Sequence, residues 1–315
     1  MDDYILEKTD FPGLGEKYEG KVRDNYTSGN KRIIITTDRI STFDRIVGCV
    51  PWKGQVLNQM ATFWFDKTKD IIGNHMLDVP DPNVMVVKEC EPIMVEMVVR
   101  EYVTGVTKTS IWYNYQQGIR NFCGNKLPEG MRKDQKLPKP ILTPSTKAEK
   151  GEHDESVSPE EIVQRGLLSK AEMEELKEIA FKLFERGKQI VEKQGIILVD
   201  TKYEFGKLNG KLVLIDEIHT PDSSRFWFKD TYEKLFSEDK EQRKIDKEYV
   251  RSWLADRGFI GEGPIPKIPK KVMDEASRRY IQAFEKITGQ SFKEHRETPI
   301  AKRIEENLRK AGYWK

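Results

Sequence analysis

The chain has 315 residues, 37% of them hydrophobic and 34% charged, and its 54 basic against 52 acidic side chains leave a formal charge of +2. A length of this order suits one large domain or two lobes of about 150 residues each. The balanced charge argues against a protein that coats nucleic acid, no apolar run approaches the ~18 residues of a membrane span, and the acidic start MDDYILEKTD lacks the build of a signal peptide.

Tyr18–Tyr26 and Lys31–Thr37 predict a β-hairpin joined by the four-residue connection Thr27-Ser28-Gly29-Asn30. Within it, Gly15 to Val22 nearly spells a P-loop, but Val22 stands where the Mg²⁺-binding hydroxyl belongs, and a strand rather than a helix follows. Gly20, Lys21, Val22 and Arg23 instead suggest a phosphate device of another kind, with two cations two apart on one strand beside a glycine. On this motif alone the ordinary surface strand with alternating lysine and arginine is the favoured reading.

Leu57, Met60, Ala61, Trp64 and Phe65 recur at helical spacing, so Gln55–Lys67 is predicted to be helical. Strands are expected near Val84–Cys90 and Ile93–Val103, with Pro92 marking the break between them. Residues 118–159 read as one long loop. Ser158 with Glu161 and Ser169 with Glu172 are capping-box signatures, the second opening a long helix to about Lys193. Ile196–Asp200 then reads as a buried strand, Asn209-Gly210 as a hairpin turn, and Leu212–Ile218 as the returning strand. Helices are expected at Asp246–Asp256, Pro269–Thr288 and Pro299–Ala311, and the charged run Glu233–Lys247 as a solvated helical face.

The stretch Leu198–Gly206 carries the most chemistry. Asp200, Lys202 and Glu204 alternate and so share one strand face, and the returning strand ends in Asp216-Glu217 before the segment His219–Arg225. Glu204 and Asp216 together suit Mg²⁺, which takes one or two carboxylates plus phosphate oxygens and water. For the two acids to share a face the turn must hold three residues, with Gly210 in a bulge and Lys207 paired with Lys211; that bulged turn is the expectation. The three cysteines, Cys49, Cys90 and Cys123, are odd in number and form no C-x-x-C, and no H-E-x-x-H occurs. A disulfide scaffold and a zinc site are therefore not expected, and a reducing cytoplasm is.

Seven segments resemble the SAICAR synthetase (phosphoribosylaminoimidazole-succinocarboxamide synthase) family in the family's own order. They are GKVRDNY at 20–26, TTDRISTFD at 36–44, WKGQVLNQMATFWF at 52–65, EMVVREYVTG at 96–105, LTPSTKAEKGEHDE at 142–155, LVDTKYEFG at 198–206 and LIDEIHTPDSSRFW at 214–227. The resemblance implies an α+β fold. A small antiparallel β lobe at 1–97 would cover ATP, and a larger lobe at 98–315 would carry the metal and substrate sites and a helical extension.

It further implies an ATP-dependent ligase joining L-aspartate to 5-amino-1-(5-phosphoribosyl)imidazole-4-carboxylate (CAIR) through an acyl phosphate, with Mg²⁺. By the same resemblance Gly20, Lys21, Val22, Arg23, Lys88, Glu91, Glu96 and Lys147 lie on the ATP side. Glu204 and Asp216 hold the metal, and Lys202 sits beside the reacting carboxylate. Arg100, Asp222, Ser223, Ser224 and Arg225 hold CAIR, and Asp38, Ser41, Asp154 and Asp200 are further substrate-side residues. Many relatives carry a serine where Val106 stands here, which leaves Thr107 or Ser110 to supply that hydroxyl. His153 reads either as a solvated loop residue or as one that orients a substrate carboxylate. The partners implied are small molecules, not nucleic acid or membrane, and the long form suggests a monomer. An ATP-dependent small-molecule kinase would share the cleft, and a nucleotide-binding protein without turnover would share the fold. Dependence of ADP release on aspartate separates the three.

Overall fold

The computed structural model describes residues 4–43, 45–147, 154–245, 248–297 and 299–314. The start of the helix expected at 246, Asp44 and His153 lie outside the described residues.

The first sheet has five strands in the order β1-β2-β3-β7-β6, all neighbours antiparallel. These are β1 (Glu16–Glu19), β2 (Arg23–Ser28), β3 (Lys31–Thr36), β6 (Met76–Asp81) and β7 (Val84–Lys88), while β4 (Arg39–Thr42) and β5 (Arg45–Cys49) form a separate ribbon. Ser28 pairs with Lys31, so the connection holds two residues, not the four expected. The strand expected through Tyr18–Tyr26 is also interrupted. Residues 20–22 turn the chain between β1 and β2, and the Gly20 N–H donates to the Arg23 carbonyl at 2.8 Å. Lys21 and Arg23 thus belong to a hairpin turn and the strand after it, not to one strand.

Helix α1 (Lys53–Thr68) packs Leu57, Met60, Ala61, Trp64 and Phe65 into the main apolar core, as their spacing predicts. The second sheet centres on two 13-residue strands, β8 (Glu91–Val103) and β13 (Ile196–Leu208). Pro92 lies inside β8 near its start, rather than breaking it, since the first positions of a strand tolerate a missing donor. Residue 97, where the lobes are expected to divide, lies within this strand. After β8 come α2 (Ile111–Gln116), the small hairpin β9 (Asn121–Phe122) and β10 (Asn125–Lys126), then β11 (Gln135–Leu142) and β12 (Ser145–Thr146). The expected long loop therefore holds four strands among its described residues. β11 holds Pro138 and Pro140, which hide it from a strand pattern, and it survives them as the edge of the order β11-β8-β13-β14.

Both capping boxes form. Ser158 opens α3 (Pro159–Gln164), and Ser169 opens α4 (Lys170–Glu192), whose Leu176, Ala180, Leu183 and Phe184 lie in the main core. β14 (Lys211–Ile215) returns beside β13, and β15 (Ser224–Phe228) pairs with the other end of β13. Then follow α5 (Lys229–Ser237), α6 (Glu248–Ala255), α7 (Lys270–Thr288) and α8 (Ile300–Lys310). α8 packs back on the first sheet, where Ile300, Ile304 and Leu308 share a core with Leu6, Phe11, Ile33 and Ile35. Beneath it Asp81 accepts from Arg303 Nε at 2.9 Å.

Candidate active site

β13 organises the site through its register. Asp200 pairs with Arg100, Lys202 with Val98 and Glu204 with Glu96, so these alternate residues of two strands share a face. The opposite face sends Val95, Met97, Val99, Tyr203 and Phe205 into the core. On the other flank Asp200 pairs with Arg225 and Thr201 with Ser224. A cavity of about 220 Å³ opens over this polar face.

Eleven of the expected residues line that cavity: Glu96, Arg100, Thr107, Ser110, Asp154, Asp200, Lys202, Asp222, Ser223, Ser224 and Arg225. At one end Asp200 Oδ2 accepts from Arg100 Nη1 at 3.0 Å and also from Arg225 Nη1. Arg100 is further fixed by Thr143 Oγ1 at 2.8 Å and the Thr109 carbonyl at 2.9 Å. Two guanidinium groups tied to one carboxylate form a pre-oriented anion site, because the planar fork suits phosphate and carboxylate. Thr107 and Ser110 hydroxyls lie 2.7 Å apart, and both face the cavity, whereas Val106 is exposed.

At the other end stands Lys202. Its Nζ lies 2.9 Å from Glu96 Oε1 and 3.9 Å from Asp216 Oδ2, and it also donates to Glu204. Glu204 accepts from Lys147 as well. Burial lowers the Lys202 pKa, but Glu204, Glu96 and Asp216 outweigh it and hold the ammonium charged. Burial raises the Glu204 pKa, and the two lysines reverse this, keeping it well below the ordinary carboxylate range. Asp216 behaves oppositely. Burial, then the charge of Glu204, push its pKa up to about 6 despite Arg23 and Lys202. Arg23 pairs with Asp216 and, at 2.8 Å, with Glu217; burial opposes its charge, and these acids restore it.

The bulged turn expected at 208–211 is absent. Leu208 pairs with Lys211 across the tight turn Asn209-Gly210, both with positive φ, and Glu204 opposes Ile215. Register alone would then turn Asp216 to the far face. β14 ends at Ile215, however, and Asp216 takes a left-handed φ of 62°, which returns its carboxylate to the side of Lys202.

Glu204 and Asp216 both stand beside Lys202, and two carboxylates are a donor set that Mg²⁺ takes together with phosphate oxygens and water.

Asp38 and Ser41 do not line the cavity. Asp38 is buried and accepts the backbone N–H groups of Leu6 and Gly54, each at 2.8 Å, so it anchors the start of α1. Burial, resisted by those two hydrogen bonds, raises its pKa to about 6. Lys21, Lys88 and Glu91 also lie outside the cavity; Lys88 ends β7 and Glu91 begins β8, where one chain leaves the first sheet for the second.

The sequence reading missed Thr143, Ser145, Ser156 and Arg251, all of which line the cavity. The first three come from the segment 118–159, whose composition is that of a loop. Residues 143–147 run beside β8, with the Thr143 N–H donating to the Val98 carbonyl and the Lys147 N–H to that of Met94. The segment's alternating Thr143, Ser145 and Lys147 was the available signal.

Residues 16–262 match the SAICAR synthetase family. A putative phosphoribosylaminoimidazole-succinocarboxamide synthase 2 of Agrobacterium fabrum is 48% identical over 309 residues, covering 96% of this chain and 97% of its own. The phosphoribosylaminoimidazole-succinocarboxamide synthase of Legionella pneumophila is 44% identical, covering 98% of each chain. Among solved structures, the SAICAR synthase of Saccharomyces cerevisiae complexed with SAICAR superposes with a TM-score of 0.79 at 30% identity, over 92% of this chain and all of its own. A SAICAR synthetase in complex with ADP gives 0.66 at 27% identity, over 89% of this chain and 100% of its own.

Proposed function

The chain belongs to the SAICAR synthetase family, and from that premise we propose how its cavity serves the ligase reaction of purine biosynthesis. The enzyme joins L-aspartate to CAIR at the expense of ATP, giving SAICAR, ADP and phosphate. The observation that carries the residue assignment is the polar face of β13, which sets an arginine pair at one end and a charged lysine among carboxylates at the other.

Arg100 and Arg225 take the CAIR phosphate, releasing part of their hold on Asp200 as a stronger anion arrives. Thr107, Ser110, Ser223 and Ser224 supply hydroxyls around the phosphoribosyl group. This fixes the imidazole carboxylate toward Lys202. A carboxylate resists attack by an amine until one oxygen leaves as phosphate, so it is first converted to an acyl phosphate, and the aspartate amine then displaces that phosphate. Lys202 offsets the negative charge that gathers as phosphoryl transfer and amine attack proceed, while the walls hold the reactants in line. Lys21, Arg23 and Lys147 approach the ATP phosphates, with Lys88, Glu91 and Glu96 on the nucleotide side. Glu204 and Asp216, together with the nucleotide phosphates, would hold Mg²⁺, which would supply neutralisation of phosphoryl charge.

We assign the ATP-covering lobe to the first sheet, and add α8 to it, since α8 completes that sheet's core. Among the described residues no helix is long and apolar enough to cross a membrane; a cytoplasmic, monomeric enzyme is the accompanying proposal. The deciding experiment is ADP release with Mg²⁺-ATP, CAIR and L-aspartate, each omitted in turn. The ligase requires both CAIR and aspartate for full release. Full-rate release without aspartate would indicate a kinase, and no release with ATP still bound would indicate a binding protein.

A further inference from the structure

Asp222 lines the cavity, yet its two carboxylate oxygens are held from behind. Oδ1 accepts from the Tyr280 hydroxyl at 2.7 Å, and Lys53 Nζ stands 2.9 Å from Oδ2. Lys53 is 0% exposed and Tyr280 3% exposed, and the ammonium also lies 5.5 Å from the Tyr280 ring centroid. A completely buried ammonium is strongly unfavourable unless paired, so this lysine is placed where a carboxylate must meet it. The two residues come from distant parts of the chain, the start of α1 and the middle of α7. The same two segments are tied again where Ser277 Oγ donates to the Pro51 carbonyl at 2.7 Å. The loop carrying Asp222 is separately fixed, with Thr220 Oγ1 accepting the Asp222 N–H at 3.3 Å and Ser223 Oγ accepting the Thr220 N–H at 3.1 Å. Loop stability therefore does not explain the clamp on the Asp222 side chain.

We infer that Lys53 and Tyr280 are positioning residues that aim the Asp222 carboxylate at the ribose hydroxyls of CAIR; this rests on the reading of the cavity as the CAIR site. An ionised carboxylate is an acceptor only, so its substrate partner is a donor and not the phosphate. With Lys53 beside it, its charge is already partly balanced, which suits a neutral hydroxyl better than a second ammonium. A carboxylate with both oxygens oriented before substrate arrives has less freedom to lose on binding. The clamp acts on substrate affinity and leaves the reacting carboxylate, at the Lys202 end, alone.

The test is steady-state kinetics of the full chain with Tyr280→Phe, which removes one hydroxyl and keeps the ring. The expected result is a roughly tenfold rise in KM for CAIR, with kcat and the KM values for ATP and aspartate within about twofold, in line with a lost hydrogen bond to a charged group. Lys53→Met, uncharged and similar in length, should raise the same KM further if it folds. Asp222→Asn is the reference. Placed on that variant, Tyr280→Phe should add little, because the two act through one group. If Asp222→Asn raises the CAIR KM but Tyr280→Phe lowers only the melting temperature, the positioning inference is wrong and the cavity assignment stands. If Asp222→Asn leaves the CAIR KM unchanged, the assignment of Asp222 to CAIR fails, and the inference with it.

Discussion

Asp216 reaches the same side of its hairpin as Glu204 because its backbone leaves the strand with a φ of 62°. The pairing of Glu204 with Ile215 would otherwise turn it away. An aspartate tolerates this left-handed backbone better than most residues. The juxtaposition of the two carboxylates thus depends on one backbone angle as much as on two acids.

Glu204 pairs with two lysines at once, Lys147 and Lys202. Glu204→Gln should lower kcat by at least ~100-fold, the scale of losing an electrostatic element aimed at a transition state. Circular dichroism should remain native, because glutamine keeps the shape and Glu204 lies on the polar face of β13 rather than among its core residues. Turnover near wild type would remove Glu204 from the chemistry.

Asp200 holds Arg100 and Arg225 together. Asp200→Asn keeps the shape and releases both guanidinium groups from a common charge. The KM for CAIR should rise by about 10- to 100-fold, and a truncated CAIR lacking the phosphate should show a much smaller difference between variant and wild type. An equal loss for both compounds would contradict the phosphate assignment.

Lys21 lies exposed in the turn between β1 and β2. Lys21→Ala should raise the KM for ATP by about tenfold, the worth of one charged contact of roughly 1.4 kcal/mol. Its melting temperature should stay within a degree or so, and the effect should shrink as ionic strength rises. A KM change confined to aspartate would move Lys21 to another part of the site.

His219 is fully buried, with Nε2 2.7 Å from the Tyr203 hydroxyl and its ring packed edge-on against Trp64. Burial pushes its pKa down from 6.5 to about 3. The unfolded chain therefore binds this proton between pH ~6.5 and ~3 while the folded chain does not, so stability falls as pH falls through that window. His219→Gln removes that titration. Urea titrations should show wild type losing stability relative to the variant by up to ~1.4 kcal/mol per pH unit across the window. Parallel curves between pH 7 and 4 would mean His219 is protonated in the folded state.

The legible parts of the fold were those in which one residue type has one local reason. Ser158 and Ser169 each stand three residues before a glutamate and open α3 and α4. Asn209-Gly210 closes a hairpin, and the alternation of Asp200, Lys202 and Glu204 settles onto one face. What escaped depends on neighbours distant in sequence. β11 tolerates its two prolines because, among the described residues, no strand pairs with its outer side in that sheet. Nothing local to Lys53 announces its partner, Asp222, which is brought to it from 169 positions downstream. Asp38, a substrate-side candidate by its motif, accepts two backbone N–H groups from segments distant in sequence. The hairpin turn shows both limits, since its site was evident and its length was not.

The return of α8 to the first sheet separates the order of synthesis from the order of completion. Leu6, Phe11, Ile33 and Ile35 leave the ribosome long before Ile300, Ile304 and Leu308, which cover them, and Asp81 waits 222 positions for Arg303. During translation the nascent first sheet therefore presents an open apolar face for most of elongation, at the usual ~5–20 residues per second. Chaperone occupancy of ribosome-bound chains should concentrate there until α8 emerges, and a chain stalled before residue 300 should remain protease-sensitive in β2 and β3.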